Sequence, residues 1–244
     1  SAGAVVAVSR DGIARVLDLD EMPSTKFMLE APADASVTFW RDIPAPSLTI
    51  TDLDFANGEL FVSGVSTGEF ASTLRRVPYP FGDASTSTSI EIYHAAHNQN
   101  ETRAPIRAMA VVAIDGTAPA VAAYPCTPLD VISFQAANFQ GEVSSYVLVV
   151  NREMDADLIS MENLTSAAAG PGLSEPVPYL GATSGVQTVP LPLSGVVHIA
   201  DQDGQFLLAL RRDLDTGAME LVSFRKGSFF RLSDFISEYN FPDY

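Results

Sequence analysis

The sequence predicts an all-β protein, and three observations carry that expectation. First, a short hydrophobic run leads into Asp or Asn, then Gly, then a second hydrophobic run, around Gly12, Gly58, Gly116 and Gly204. Asp-Gly and Asn-Gly supply the positive φ angles that a tight hairpin turn demands, and apolar runs on both sides supply the strands. Second, the runs are short, strand-sized and alternating, with almost no helical periodicity. Third, the units recur along one chain, which points to a repeated sheet module and hence to a β-propeller or part of one. The remaining triplets of strands bring the expectation to four or five sheet units in a single domain over 1–244. A β-sandwich of hairpins is the alternative, because the Gly-to-Gly steps of 46, 58 and 88 residues are uneven.

Taken in order, a first hairpin spans about Ala4 to Leu19, and Val37–Trp40 is a possible strand after a Pro- and Ala-rich stretch. Leu48–Phe55 and Leu60–Val65 pair across Ala56-Asn57-Gly58, with Ser72–Val77 as a third strand before Pro78-Tyr79-Pro80-Phe81. Ser89–His94 alternates Ile90 and Ile92 with polar neighbours and reads as one further strand. Ile106–Ile114, Ala120–Tyr124 and Asp130–Phe134 form the next triplet, broken by Pro125 and Pro128. Tyr146–Asn151 and Asp157–Met161 form a hairpin. A Gly-, Pro-, Ser- and Ala-rich stretch from Thr165 to Ser194 reads as a loop of more than ordinary length, functional, mobile or packed against something outside the domain. Val196–Ala200, Phe206–Leu210 and Met219–Phe224 close the series. A single helix is expected, over Leu232–Tyr239 in a tail at 232–244, with Ser233 as N-cap.

Bulk composition narrows the function classes. Hydrophobic residues make up 47% and charged residues 18%, the balance of a folded globule rather than a disordered tail. The longest apolar runs, such as Ala108–Ile114, are too short to span a bilayer as helices. Thirty acidic residues against fourteen basic ones give a formal charge of −16. Such a surface repels phosphate backbones and anionic lipid, so nucleic acid is not an expected partner. One cysteine, Cys126, excludes an intrachain disulfide. The start at Ser1-Ala2-Gly3 suggests a processed or trimmed terminus, as after removal of a signal peptide, though a cloning scar has the same look. Asn100-Glu101-Thr102 and Asn163-Leu164-Thr165 match the N-glycosylation pattern.

Few residues gather chemistry. His94 and His97 lie three apart, Glu101 follows, and Cys126 arrives about one hairpin later. Imidazole and thiolate together suit copper, zinc or haem iron, with Glu101 as a fourth ligand or an outer partner. Residues three apart on a strand point to opposite faces, so chelation requires His94 to end a strand and the chain to turn before His97. The competing reading makes both histidines polar loop residues and Cys126 a small buried hydrophobe. Asp pairs at 18/20, 52/54, 155/157, 201/203 and 213/215 invite a calcium reading, but Asp201-Gln202-Asp203-Gly204 lacks the EF-hand layout. Turn chemistry accounts better for most of the pairs. No Gly-x-Ser-x-Gly elbow, phosphate-cradling loop or recurrent Trp is present, and a Ser/His/Asp set around His198 exists only on paper.

The stretches Ile50-Thr51-Asp52-Leu53-Asp54-Phe55, Ser72-Thr73-Leu74-Arg75-Arg76-Val77-Pro78-Tyr79-Pro80-Phe81, Glu91-Ile92-Tyr93-His94-Ala95-Ala96-His97 and Tyr124-Pro125-Cys126-Thr127-Pro128-Leu129 resemble bacterial exported β-propellers of the broad YVTN and quinoprotein-like group. The resemblance covers roughly 47–135 and lies in blade pattern. It implies an exported, periplasmic or secreted propeller, and it brings no assigned activity. With a mean hydropathy of +0.15, the expected role is a binding or assembly module that packs against another subunit. A redox or electron-transfer metalloprotein built on His94, His97, Cys126 and Glu101 is the rival.

Overall fold

A computed structural model describes residues 5–9, 11–39, 42–68, 70–82, 84–94, 98–114, 120–124, 128–137, 141–151, 155–172, 185–193, 195–202, 204–213 and 215–226. Within them the chain is mostly β, arranged as several small antiparallel sheets with one α-helix. The expected helix at 232–244 lies outside the described residues.

The N-terminal hairpin pairs β1 (Val6–Val8) with β2 (Ala14–Val16) as a two-stranded sheet of its own. Next, β3 (Thr38–Phe39) and β4 (Ile43–Pro44) form a short ribbon and lead into a 3-10 turn, Ala45–Leu48. The first large sheet has the order β5 (Asp52–Ala56), β6 (Glu59–Val65), β7 (Ser72–Pro78), β8 (Thr86–Ser89). Asn57 and Gly58 both take positive φ between β5 and β6, the geometry expected of a two-residue hairpin turn. Gly12 also has positive φ, but in a wider turn closed by Ser9 N–H donating to the Ile13 carbonyl. Gly204 stays outside that region. The shared dipeptide signature therefore covers more than one turn type.

Ser89–His94 is not one strand. It divides into β8 and β9 (Ile92–His94) with Ile90 between them, its N–H donating to the Ser72 carbonyl of β7 at 2.8 Å and its side chain packed beside the buried Phe61, Ile106 and Met109. β9 pairs with β10 (Gln99–Glu101). β11 (Ala108–Val112) and β12 (Ala120–Tyr124) pair with each other alone. The expected triplet is thus split. β13 (Pro128–Ala137) instead begins a second four-stranded sheet with β14 (Val143–Asn151), β15 (Ala156–Ser160) and β16 (Val189–Leu191). Pro128 sits at the first position of β13 beside a register shift, where a missing N–H breaks no ladder. The last sheet is β17 (Val196–Asp201), β18 (Phe206–Arg212) and β19 (Met219–Arg225).

The helix α1 (Met161–Ala168) occupies a place where sequence reading saw a strand end and the start of a loop. Ser160 is extended, and its Oγ accepts the Asn163 N–H at 3.1 Å. A capping Ser, an acidic residue in the first turn (Glu162) and a run of Ala are a sufficient helix signal. Residues 173–184 of the long connection lie outside the described set.

The main core lies across the second four-stranded sheet and the last sheet. Val147, Leu148, Val149 and Val150 of β14 are fully buried, as suits a central strand covered on both faces. Phe134, Leu158, Leu191, Ile199 and Leu207 join one side; Ala108, Ala110, Val131 and Ile159 join the other. The first large sheet has its own cluster under the 3-10 turn, of Ala33, Ala45, Leu48, Val65 and Ala71. There Gly64 lets the backbone approach: a Cβ on it would stand 2.1 Å from the Thr49 carbonyl oxygen. The buried Arg75 guanidinium donates to the Thr49 and Val65 carbonyls, both at 3.4 Å, placing a cation at the C-terminal end of that turn. Burial pushes the Arg75 pKa down.

Four of the sheets, passing over the β9–β10 ribbon, follow one another in chain order through their first strands. β5 lies beside β11, β11 beside β13, and β13 beside β17.

Candidate functional site

Polar chemistry gathers at the seams between successive sheets, and among the described residues much of it is built from aspartates inside strands, with the Ser63 hydroxyl also donating to the Ile106 carbonyl at 3.3 Å. Asp is depleted in strands because its short carboxylate competes for backbone amides. Here that competition is used. Asp52 on β5 accepts the Met109 N–H of β11 at 2.7 Å, and its other oxygen accepts the following Leu53 N–H at 2.9 Å. Asp54 repeats the arrangement one pleat on, accepting Val111 N–H at 2.6 Å and Phe55 N–H at 2.7 Å. Asp130 on β13 does the same across the next seam, accepting Ile199 N–H of β17 at 2.7 Å and Val131 N–H at 2.9 Å. Each carboxylate thus satisfies an edge amide of the neighbouring sheet that would otherwise be left unpaired.

At the third of these positions an imidazole is added. His198 Nδ1 stands 2.6 Å from Asp130 Oδ2. The His198 side chain is 67% exposed while Asp130 is largely buried. A carboxylate that fixes Nδ1 and leaves the rest of the ring in solvent is an arrangement that can orient an imidazole for proton transfer. Burial is the largest influence on Asp130 and raises its pKa, against the lowering pull of the Ile199 amide and of His198. Asp52 is also raised, by burial first, with the Met109 and Leu53 amides opposing and the charges of Asp130 and Asp54 reinforcing.

The other aspartate pairs divide as turn chemistry requires. Asp213 Oδ1 accepts from Asp215 N–H, Thr216 N–H and Thr216 Oγ1, and Asp18 accepts from Asp20 N–H. Asp157 takes the Asn151 amide at 3.2 Å. Asp201 instead holds the buried Lys226, whose Nζ lies 2.7 Å and 2.8 Å from its two oxygens and 5.7 Å from the Phe134 ring centroid. That pair borders an open groove of about 780 Å³ that also touches Ser133, Gln135 and Ser145.

Of the expected metal ligands, His94 closes β9 and Glu101 closes β10. The register pairs His94 with Gln99 and Glu101 with Ile92, so positions 94 and 101 share one face of the ribbon. Glu101 Oε1 accepts the Gln99 amide at 2.9 Å. His97 and Cys126 lie outside the described residues. Among the described residues no group of three or more His, Cys, Asp and Glu side chains is arranged to hold a metal ion.

In sequence, Asp52-Leu53-Asp54 reads as a calcium or turn pattern, and Asp130 carries no paired signal. The available signal was an acidic residue between apolar ones inside a strand, which needs a donor from elsewhere. No family model, curated protein or solved structure matches the chain. Among the described residues no helix is long and apolar enough to cross a membrane.

Proposed function

We propose that the chain is an exported β-propeller, or part of one, that serves as a binding and assembly module within a larger protein complex. The succession of first strands, β5 to β11 to β13 to β17, supports the ring-like reading, since neighbouring blades of a propeller meet along their innermost strands. The aspartates that stitch those strands supply the polar seam such packing needs.

One observation carries the assembly role. The ladder of β1 and β2 puts Val6, Val8, Ala14 and Val16 on one face, and all four face solvent, with Val8 67% and Val16 68% exposed. A two-stranded hairpin is marginal in water by itself, and an all-aliphatic exposed face adds a cost that a second polypeptide removes on packing there. The test compares the protein from its own source with a Val8→Ser, Val16→Ser variant by size-exclusion chromatography with light scattering. The expected result is a complex larger than the 26.0 kDa chain that the variant fails to form. A parent protein that elutes only at the mass of one chain overturns the reading.

The shared face of positions 94 and 101 favours a second reading, in which His94, His97, Cys126 and Glu101 bind copper, zinc or haem iron for electron transfer. Elemental analysis of the native protein decides it. About one equivalent of metal, lost in a His94→Ala variant, supports that reading, and less than about a tenth removes it.

A further inference from the structure

We propose that Phe27, Phe55, Tyr79 and Phe81 form a binding surface for a small quaternary ammonium cation. The rings are contiguous. Phe27 and Phe81 have centroids 6.4 Å apart at 54°, Phe81 and Tyr79 5.4 Å apart at 88°, and Tyr79 and Phe55 5.9 Å apart at 87°. Tyr79 therefore stands perpendicular to a ring on either side.

Phe55 stands on the sheet and Tyr79 directly follows it, while Phe27 and Phe81 come from irregular segments. Asp52 and Asp54 turn toward β11, so strand alternation forces Leu53 and Phe55 outward. Tyr79 follows β7, and its N–H donates to the Gly58 carbonyl at 2.8 Å, beside the turn that ends β5. An edge-to-face contact uses one face of one ring, and Phe55 and Tyr79 remain 56% and 58% exposed.

The chain elsewhere places a cation against an aromatic ring. Arg76 lies 5.5 Å from the Phe61 centroid, and Lys226 lies over Phe134. Among the described residues no cation lies over the four outer rings. Arg76, on the same sheet, is already held by Glu59. The chain's −16 charge further favours a positive ligand. A quaternary ammonium suits the site better than a primary amine. It has no N–H to satisfy, loses little hydration, and spreads its charge over methyl groups that meet ring faces in several directions.

The test titrates the full chain with choline and, separately, with 3,3-dimethyl-1-butanol, its neutral isostere with carbon in place of nitrogen. Ring resonances are followed by NMR at matched ionic strength. The expected result is saturable shifts at Phe55 and Tyr79 with a dissociation constant on the order of millimolar. The isostere binds at least about tenfold more weakly, and Phe55→Leu and Tyr79→Leu each weaken choline binding by about threefold or more. Equal binding of the isostere overturns the proposal in favour of a plain apolar patch. So does the absence of shifts, or binding unchanged in both variants. Phosphatidylcholine vesicles provide the last arm: sedimentation of the chain with vesicles, without response to free choline, assigns the surface to a membrane and also overturns it.

Discussion

The seam between β5 and β11 and the seam between β13 and β17 are closed by the same device, but only the second carries an imidazole. At the first, Asp52 and Asp54 cover two amides one pleat apart. At the second, a single carboxylate covers one amide and also holds His198. The first seam shows that the aspartates need no catalytic explanation, since an edge amide facing a neighbouring sheet is reason enough. His198 is the part that the architecture does not require. Among the described residues of these two seams, His198 is the titratable side chain with its ring open to solvent and one nitrogen fixed by a carboxylate.

Substitution can break the comparison. The largest effect is expected from Asp52→Ala with Asp54→Ala, which orphans the Met109 and Val111 amides together and costs about 2–5 kcal/mol in urea unfolding. A loss below about 0.5 kcal/mol would show that those amides find water or other partners. Asp130→Ala orphans one amide and should cost about 1–3 kcal/mol. If instead it matches the double variant, the seams are not equivalent. Asn at the same positions keeps an acceptor for each amide and removes a charge whose burial is unfavourable, so Asp52→Asn and Asp130→Asn should stay within about 1 kcal/mol of the parent. His198→Gln, at an exposed side chain, should change stability by no more than about 0.5 kcal/mol. A larger loss would make the imidazole part of the architecture after all.

Acid sharpens the same contrast. Burial raises Asp52 and Asp130 above the ordinary carboxylate value of 3.8, so the folded state binds their protons more readily than the unfolded chain. Their ionised cost is present at neutral pH and is relieved as pH falls through the raised values toward 3.8. The turn aspartates run the other way. Hydrogen bonds from Ser9, Ser36 and Thr216 lower Asp11, Asp34 and Asp213, whose contribution is lost only below 3.8. Urea midpoints followed from pH 7 downward should show the relief first and the loss later, with the relief absent from an Asp52→Asn, Asp130→Asn protein. A parent that loses stability steadily from pH 7 would contradict the burial of these two groups.

Much of the strand inventory was legible in the sequence because alternation and turn residues act over a few residues. The Asn57-Gly58 turn and the β17–β18–β19 series stand where local pattern placed them, while β5 begins at Asp52 rather than Leu48, because Ala45–Leu48 winds into a 3-10 turn. The division of Ser89–His94 was not legible, since it depends on Ile90 finding a pocket made by residues distant in sequence. Helix α1 was legible at Ser160 and Glu162 but was masked by the β-rich context. For the sites, His94, His97, Cys126 and Glu101 stood out by residue type, whereas Asp130 did not: its role depends on an amide at Ile199.

The sequence by itself determined that this is a β protein, where several of its hairpins fall, and that its charge is strongly acidic. These follow from local backbone preference and from composition, which no packing can change. Tertiary structure alone decided which sheet each strand joins, which aspartates turn inward to neighbouring sheets, and which aromatic rings meet. Those outcomes depend on donors and neighbours brought together from far along the chain, and side-chain spacing within a strand carries no record of them.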